Sequence, residues 1–186
     1  MEPFVNRDGQ TYHVHRLRVR YADTDRMDMV YHGTYAAYLE AARVELLRDS
    51  GWVYAELEKA GTLLPVVQLN LTYKKPARYD QMLEVHTVIA KPPTSKMRLL
   101  CEVRHEQELL VKGEVVLVFV DAKEVRPCRP PAGTHGHAQH GPAVASLHNP
   151  GPQGGDEGRC AVNAVSQFFR RQGHGVGSKD LKRREV

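Results

Sequence analysis

The chain has no run of about 18 consecutive apolar residues, the length a helix needs to cross a bilayer. Its first residues, Met1-Glu2-Pro3-Phe4-Val5-Asn6-Arg7-Asp8, lack both the basic start and the apolar segment of a secretory signal. Only three cysteines occur, Cys101, Cys128 and Cys160, too widely spaced for a disulfide framework or a thiolate metal site. These shortages lead us to expect a cytoplasmic, reducing setting with no membrane span and no structural metal.

A charge excess on the patterned part of the chain is missing too. The sequence carries a formal +4 and a pI near 9.0, which invites a nucleic-acid reading. Residues 1–126 hold 18 Lys and Arg against 18 Asp and Glu, whereas residues 127–186 hold 8 against 4. The basic excess therefore sits wholly in the last third, and the patterned part presents no electrostatic footprint for nucleic acid.

Glycine and proline follow the same division. Residues 127–186 contain 10 of the 15 glycines and 6 of the 11 prolines. From Pro127 to Gly158 there are few apolar residues and no period of 2 or 3.6, so that stretch cannot bury enough surface to offset its ordering entropy. The histidines of residues 127–186 (His135, His137, His140, His148, His174) have no carboxylate or thiol partners at fixed spacing and make no metal site. The expected organisation is an N-terminal extension over 1–13, one domain over 14–129 and a disordered basic tail over 130–186.

What the domain does have is pattern. Residues 14–21 alternate Val14, Leu17, Val19 and Tyr21 with His and Arg, which suits a strand. Over 34–50, Tyr35, Tyr38, Leu39, Ala42, Leu46 and Leu47 share one helical face, while Glu40, Arg43 and Arg48 fall off it. Gly51 stands where a helix C-terminus needs a cap. A shorter helix over 52–60 is stopped by Gly61, and strands follow at 63–73, 82–90, 96–105 and 109–121. In the third of these Met97, Leu99, Cys101 and Val103 alternate with polar residues. The run Val115-Val116-Leu117-Val118-Phe119-Val120 suits a central strand covered on both faces. Strands joined by hairpin-length links favour an antiparallel sheet, with the long helix as its covering layer, an α+β arrangement.

Chemistry concentrates in Tyr21-Ala22-Asp23-Thr24-Asp25-Arg26-Met27-Asp28-Met29-Val30-Tyr31-His32-Gly33-Thr34-Tyr35. Three carboxylates leave a strand, and an aromatic-histidine-glycine turn enters a helix whose first N–H groups form a donor-rich, electropositive end. A carbonyl lodged there would have its developing oxyanion stabilised, and a nearby carboxylate could attack it or activate water. An EF-hand reading of Asp23-x-Asp25-x-x-Asp28 fails, because Met27, Asp28 and Thr34 fall where that loop needs an oxygen ligand, Gly and Glu. A phosphoaspartate reading fails on the alternating α/β fold that class uses.

The stretch resembles the hotdog-fold thioesterases of the 4-hydroxybenzoyl-CoA type, in particular their bacterial acyl-CoA thioesterase branch. The shared residues are Tyr21, Asp23-Thr24-Asp25, Val30-Tyr31-His32, Tyr35 and Glu40-x-x-Arg43. The link Tyr73-Lys74-Lys75-Pro76-Ala77-Arg78-Tyr79-Asp80, then Phe119-Val120-Asp121 and Arg126-Pro127, extend the match to residues 14–129. The resemblance implies an antiparallel sheet wrapped around one long central helix, and hydrolysis of an acyl-CoA thioester to a carboxylate and free CoA. No cofactor is implied, CoA being part of the substrate. It implies that Asp25 is nucleophile or general base, and that the backbone N–H of His32 polarises the thioester carbonyl. Tyr31, His32 and Gly33 would then shape the helix entrance. Self-association as a dimer or tetramer is implied as well, with the site at the subunit boundary. The loop flanked by Lys91 and Lys96 is the candidate for the CoA phosphates. One departure stands out, since relatives place small residues, often Gly, where this chain has Arg26-Met27-Asp28-Met29. A hotdog module that binds acyl thioesters without turning them over is the alternative.

Overall fold

The computed structural model of the protein describes residues 2–130, so the expectations for the tail and its histidines lie outside the described residues. Strands β1 (Phe4–Arg7) and β2 (Gln10–Arg18) open the chain, followed by helices α1 (Thr34–Asp49) and α2 (Tyr54–Lys59). Then come β3 (Thr62–Leu63), β4 (Val66–Tyr73), β5 (Met82–Ile89), β6 (Lys96–His105), β7 (Glu108–Val118), β8 (Val120–Asp121) and β9 (Arg126–Pro127). Six strands form one sheet in the order β1-β2-β5-β6-β7-β4, antiparallel at every pairing. The short β3, β8 and β9 form a second sheet. The α+β architecture expected above, an antiparallel sheet around one long helix, is the architecture observed.

The helix forms where six apolar side chains repeat at helical spacing with no proline between them, and all six are buried. They pack on the strand face that carries Met97, Leu99, Cys101 and Val103 of β6 with Val111, Val115 and Leu117 of β7. Gly113 allows the closest approach, since a Cβ there would lie 2.7 Å from Leu39 Cδ1 and 3.3 Å from Leu71 Cδ2. Gly51, at φ +84°, ends the helix: its N–H donates to Arg48 C=O (3.0 Å) and the Trp52 N–H to Leu47 C=O (2.7 Å), the paired bonds of a Schellman cap. Among the described residues, no helix is long and apolar enough to cross a membrane.

Five expectations change, one being the strand predicted over 109–121, which stops at Val118 and resumes as β8 in the second sheet. The N-terminal residues set apart as an extension belong to the sheet: β1 pairs with β2 across the two-residue turn Asp8-Gly9, whose φ angles of 54° and 76° are those of a type I′ hairpin. The first predicted strand ends at Arg18, not Tyr21. Tyr21–Asp23 is instead a 3₁₀ turn, because Thr24 Oγ1 donates to Tyr21 C=O (2.8 Å) and the Asp23 carboxylate accepts the Arg20 N–H (2.9 Å). The strand predicted over 63–73 is split at Pro65 into β3 and β4. Arg43, placed off the buried face, is buried. Its guanidinium donates to Glu40 Oε1 (3.1 Å), and its Cζ stands 6.0 Å from the centre of the Tyr54 ring.

Candidate active site

Between β2 and α1 the chain makes a narrow two-stranded ribbon. Thr24 bridges Val30 in antiparallel register, Tyr31 N–H donates to Asp23 C=O (2.9 Å), and Asp25 N–H donates to Met29 C=O (2.9 Å). The tip, residues 25–29, needs a left-handed backbone only at Asp28, at φ 55°. Aspartate tolerates that conformation better than most residues, which is how this loop closes without a glycine. A second anchor ties the ribbon to the β4–β5 link, where Val30 N–H donates to Ala77 C=O (2.9 Å).

The two carboxylates of Asp23-Thr24-Asp25 have opposite surroundings. Asp23 is buried. Its Oδ2 accepts from Arg20 N–H (2.9 Å), Arg20 Nε (3.2 Å) and the Tyr38 hydroxyl (2.9 Å), and its Oδ1 from Arg20 Nη2 (2.8 Å). The Arg20 guanidinium therefore holds the Asp23 carboxyl below the usual range, while burial and Asp23 itself push the Tyr38 phenol up. Asp23 is a fully engaged structural group. Asp25 is half-exposed and its Oδ1 accepts one bond, from Met27 N–H (2.8 Å). Among the described residues no donor takes its Oδ2, so one carboxylate oxygen remains open at the ribbon tip.

The helix entrance is equally open. Gly33 is the N-cap residue and has no side chain to satisfy the first-turn donors, unlike the Ser, Thr, Asp or Asn usual at that position. Neither His32 N–H nor Gly33 N–H meets an acceptor among the described residues, whereas Thr34 N–H turns back to Tyr31 C=O (2.9 Å). Tyr31 and His32 are exposed side by side with ring centres 4.2 Å apart. Gly33 is required by their closeness rather than by its φ of −69°, since a Cβ would come 2.7 Å from Tyr31 Cε1.

The structure thus puts Asp25, Tyr31, His32 and Gly33 on one ribbon and helix entrance. It does not bring Lys91 and Lys96 there. They flank the β5–β6 loop, whereas the ribbon adjoins the opposite end of β5, where Arg18 pairs with Met82, roughly 23 Å away along the strand. Exposed cations at the ribbon's own end include Arg26, Lys74 and Arg78, the last donating to Asp28 C=O (3.3 Å). Residue spacing also missed Tyr73, on β4, whose hydroxyl donates to His32 C=O (3.0 Å) from 41 positions away.

An antiparallel sheet wrapped around one long helix, with open donors at that helix's N-terminus and an unengaged carboxylate on the ribbon before it, is the arrangement of a hotdog protein. A family model described as the Thioesterase-like superfamily matches residues 19–139, and the chain belongs to that superfamily. YbgC of Escherichia coli O157:H7, named an acyl-CoA thioester hydrolase, is 37% identical over 112 residues, covering 60% of this chain and 84% of that one. YneP of Bacillus subtilis, provisionally named an acyl-CoA thioesterase, is 47% identical over 73 residues, covering 39% of this chain and 53% of YneP, about half its length. The crystal structure of the DHNA-CoA thioesterase from Staphylococcus aureus superposes with a TM-score of 0.61 at 34% identity, covering 63% of this chain and 80% of that one.

Proposed function

We propose that the protein hydrolyses acyl-CoA thioesters to a carboxylate and free CoA, with Asp25 as the catalytic carboxylate. One observation carries the reading: the glycine-capped entrance of α1 keeps N–H donors unspent, on the same ribbon as a carboxylate oxygen with no donor. A thioester carbonyl seated at the entrance would place its developing oxyanion against the His32 N–H, reinforced by the helix dipole. Asp25 then either adds to the carbonyl carbon, giving an anhydride that water opens, or takes a proton from the attacking water. In both routes the C–S bond breaks, the thiolate leaves and is protonated, and no cofactor is consumed. Tyr31 and the His32 ring form the exposed wall of the entrance. The names of the relatives support CoA as the thiol carrier. Since Lys91 and Lys96 stand at the far end of β5, the CoA phosphates of a thioester held at this entrance are better met by Arg26, Lys74 and Arg78.

We also infer self-association through β4. Its outer edge has no partner strand among the described residues, and it exposes Val66, Leu69 and Tyr73. Pairing with a second copy would satisfy that edge and bring the partner up to the helix entrance. Free thiols at Cys101 and Cys128 suit a cytoplasmic location.

The test is steady-state release of free thiol across aliphatic and aromatic acyl-CoAs, with the sedimentation behaviour of the same sample. Turnover on at least one class is expected from a dimer or larger assembly. Saturable binding of acyl-CoA with no thiol released would replace the enzyme by a binding module.

A further inference from the structure

Tyr73 stands on the outward edge of β4, and among the described residues it makes the one side-chain contact from the sheet to the backbone of the helix entrance. Its hydroxyl donates to His32 C=O at 3.0 Å. That carbonyl and the Gly33 N–H are the two ends of a single planar, trans peptide unit, and they point in opposite directions. Whatever fixes the carbonyl therefore aims the N–H, and a hydrogen bond accepted at the oxygen polarises the unit and strengthens its N–H as a donor. The Gly33 N–H has no acceptor among the described residues.

The tyrosine is itself held. Its ring stands edge-on to Tyr35 (centres 5.6 Å apart), Tyr35 is edge-on to Tyr38 (5.8 Å), and the Tyr38 hydroxyl donates to Asp23. Tyr35 is buried and its oxygen accepts the Ala77 N–H (3.3 Å), in the link that also anchors Val30. The neighbouring peptide, Tyr31–His32, is oriented separately, by Thr34 N–H on its carbonyl. The two peptide units at the entrance thus have separate constraints, one from the helix turn and one from the sheet.

We propose that Tyr73 is a positioning residue for the oxyanion site: by holding His32 C=O it aims the Gly33 N–H as a second donor beside that of His32. This rests on the thioesterase reading above. The substitution Tyr73→Phe keeps the ring against Tyr35 and removes only the hydroxyl. Since removing a whole oxyanion donor costs about 100- to 1,000-fold in kcat, misaiming one should lower kcat by about tenfold. Ground-state binding does not use the developing oxyanion, so KM should stay within about twofold.

The experiment compares wild type, Tyr73→Phe and Asp25→Asn for kcat and KM on the best acyl-CoA, with melting temperature, sedimentation and the Gly33 amide resonance as companion measurements. A lowered kcat with KM, melting temperature and assembly unchanged, together with a displaced Gly33 amide signal, is expected. An unchanged kcat for Tyr73→Phe beside an inactive Asp25→Asn overturns this inference and leaves the thioesterase reading intact. A kcat loss that tracks a fall in melting temperature or a dissociated assembly makes Tyr73 merely structural and overturns it too. Absence of turnover by wild type removes the reading and this inference with it.

Discussion

Replacing Asp23 by Asn exchanges an oxygen that receives donors for an NH₂ group that opposes them. All the contacts Asp23 makes come from donors: Arg20 N–H, Nε and Nη2, and the Tyr38 hydroxyl. Turned with its oxygen toward Tyr38 and Arg20 N–H, the amide keeps those bonds through a neutral acceptor and sets its nitrogen against Arg20 Nη2. The guanidinium end of Arg20 is 76% exposed, so its ion pair adds little. The bonds from Tyr38 and Arg20 N–H are the ones that count. Exchanging the charged acceptor for a neutral one should weaken each of these two bonds by about 1–1.5 kcal/mol, about 2–3 kcal/mol together. For a domain of this size that is a fall of about 8–12 °C in melting temperature. The effect has a pH signature. The folded carboxyl is held below its ordinary 3.8, so its contribution is present above that value and is lost as pH falls through the lower, folded value. Thermal unfolding followed by circular dichroism at neutral pH should show the full gap between wild type and Asp23→Asn. Below about pH 3.8 the gap should narrow. A variant that melts within about 2 °C of wild type at neutral pH would refute the structural role given to Asp23.

Gly113→Ala places a Cβ 2.7 Å from the terminal carbon of buried Leu39, so α1 must lift from the sheet; denaturant titration should show a loss of about 1–3 kcal/mol, and an unchanged midpoint would contradict the packing. Gly51→Ala meets no atom within 4 Å but must adopt φ +84°, and the same titration should register about 1 kcal/mol of backbone strain. Gly33→Ala sits at an ordinary helical φ against a half-exposed Tyr31 ring that can swing aside, so stability should hold while thiol release falls as the entrance is reshaped.

Much of the fold can be read from the chain because its periods are clean. Residues 96–105 alternate apart from Leu100 and form β6 over that same span. The apolar face of α1 lies at helical spacing, and Gly51 marks its end. Other features depend on contacts that no local period records. Arg43 is buried because Tyr54, on the next helix, offers a ring to its guanidinium. Tyr21 completes an alternation with Val19, but the side-chain bonds of Asp23 and Thr24 curl the backbone before the strand can reach it. Asp8-Gly9 is a hairpin signal, but the residues flanking it carry too little apolar alternation to mark strands. At the site, the motif from Asp23 to Gly33 was legible, and so was its attachment to a helix. The division of labour between Asp23 and Asp25 was not, since it is set by Arg20 and Tyr38 in three dimensions. Lys91 and Lys96 flank a loop between two strands, but sequence gives no sign that β5 carries that loop away from the ribbon.

The central claim is that Asp25, with its unengaged oxygen, performs the chemistry on a thioester carbonyl. Asp25→Asn keeps an oxygen for the Met27 N–H and removes only the charge and basicity. The decisive measurement is kcat/KM for thiol release by this variant beside its melting temperature. The account predicts a loss of about 1,000-fold or more with the melting temperature unchanged. A variant that keeps most of the wild-type kcat/KM would contradict it.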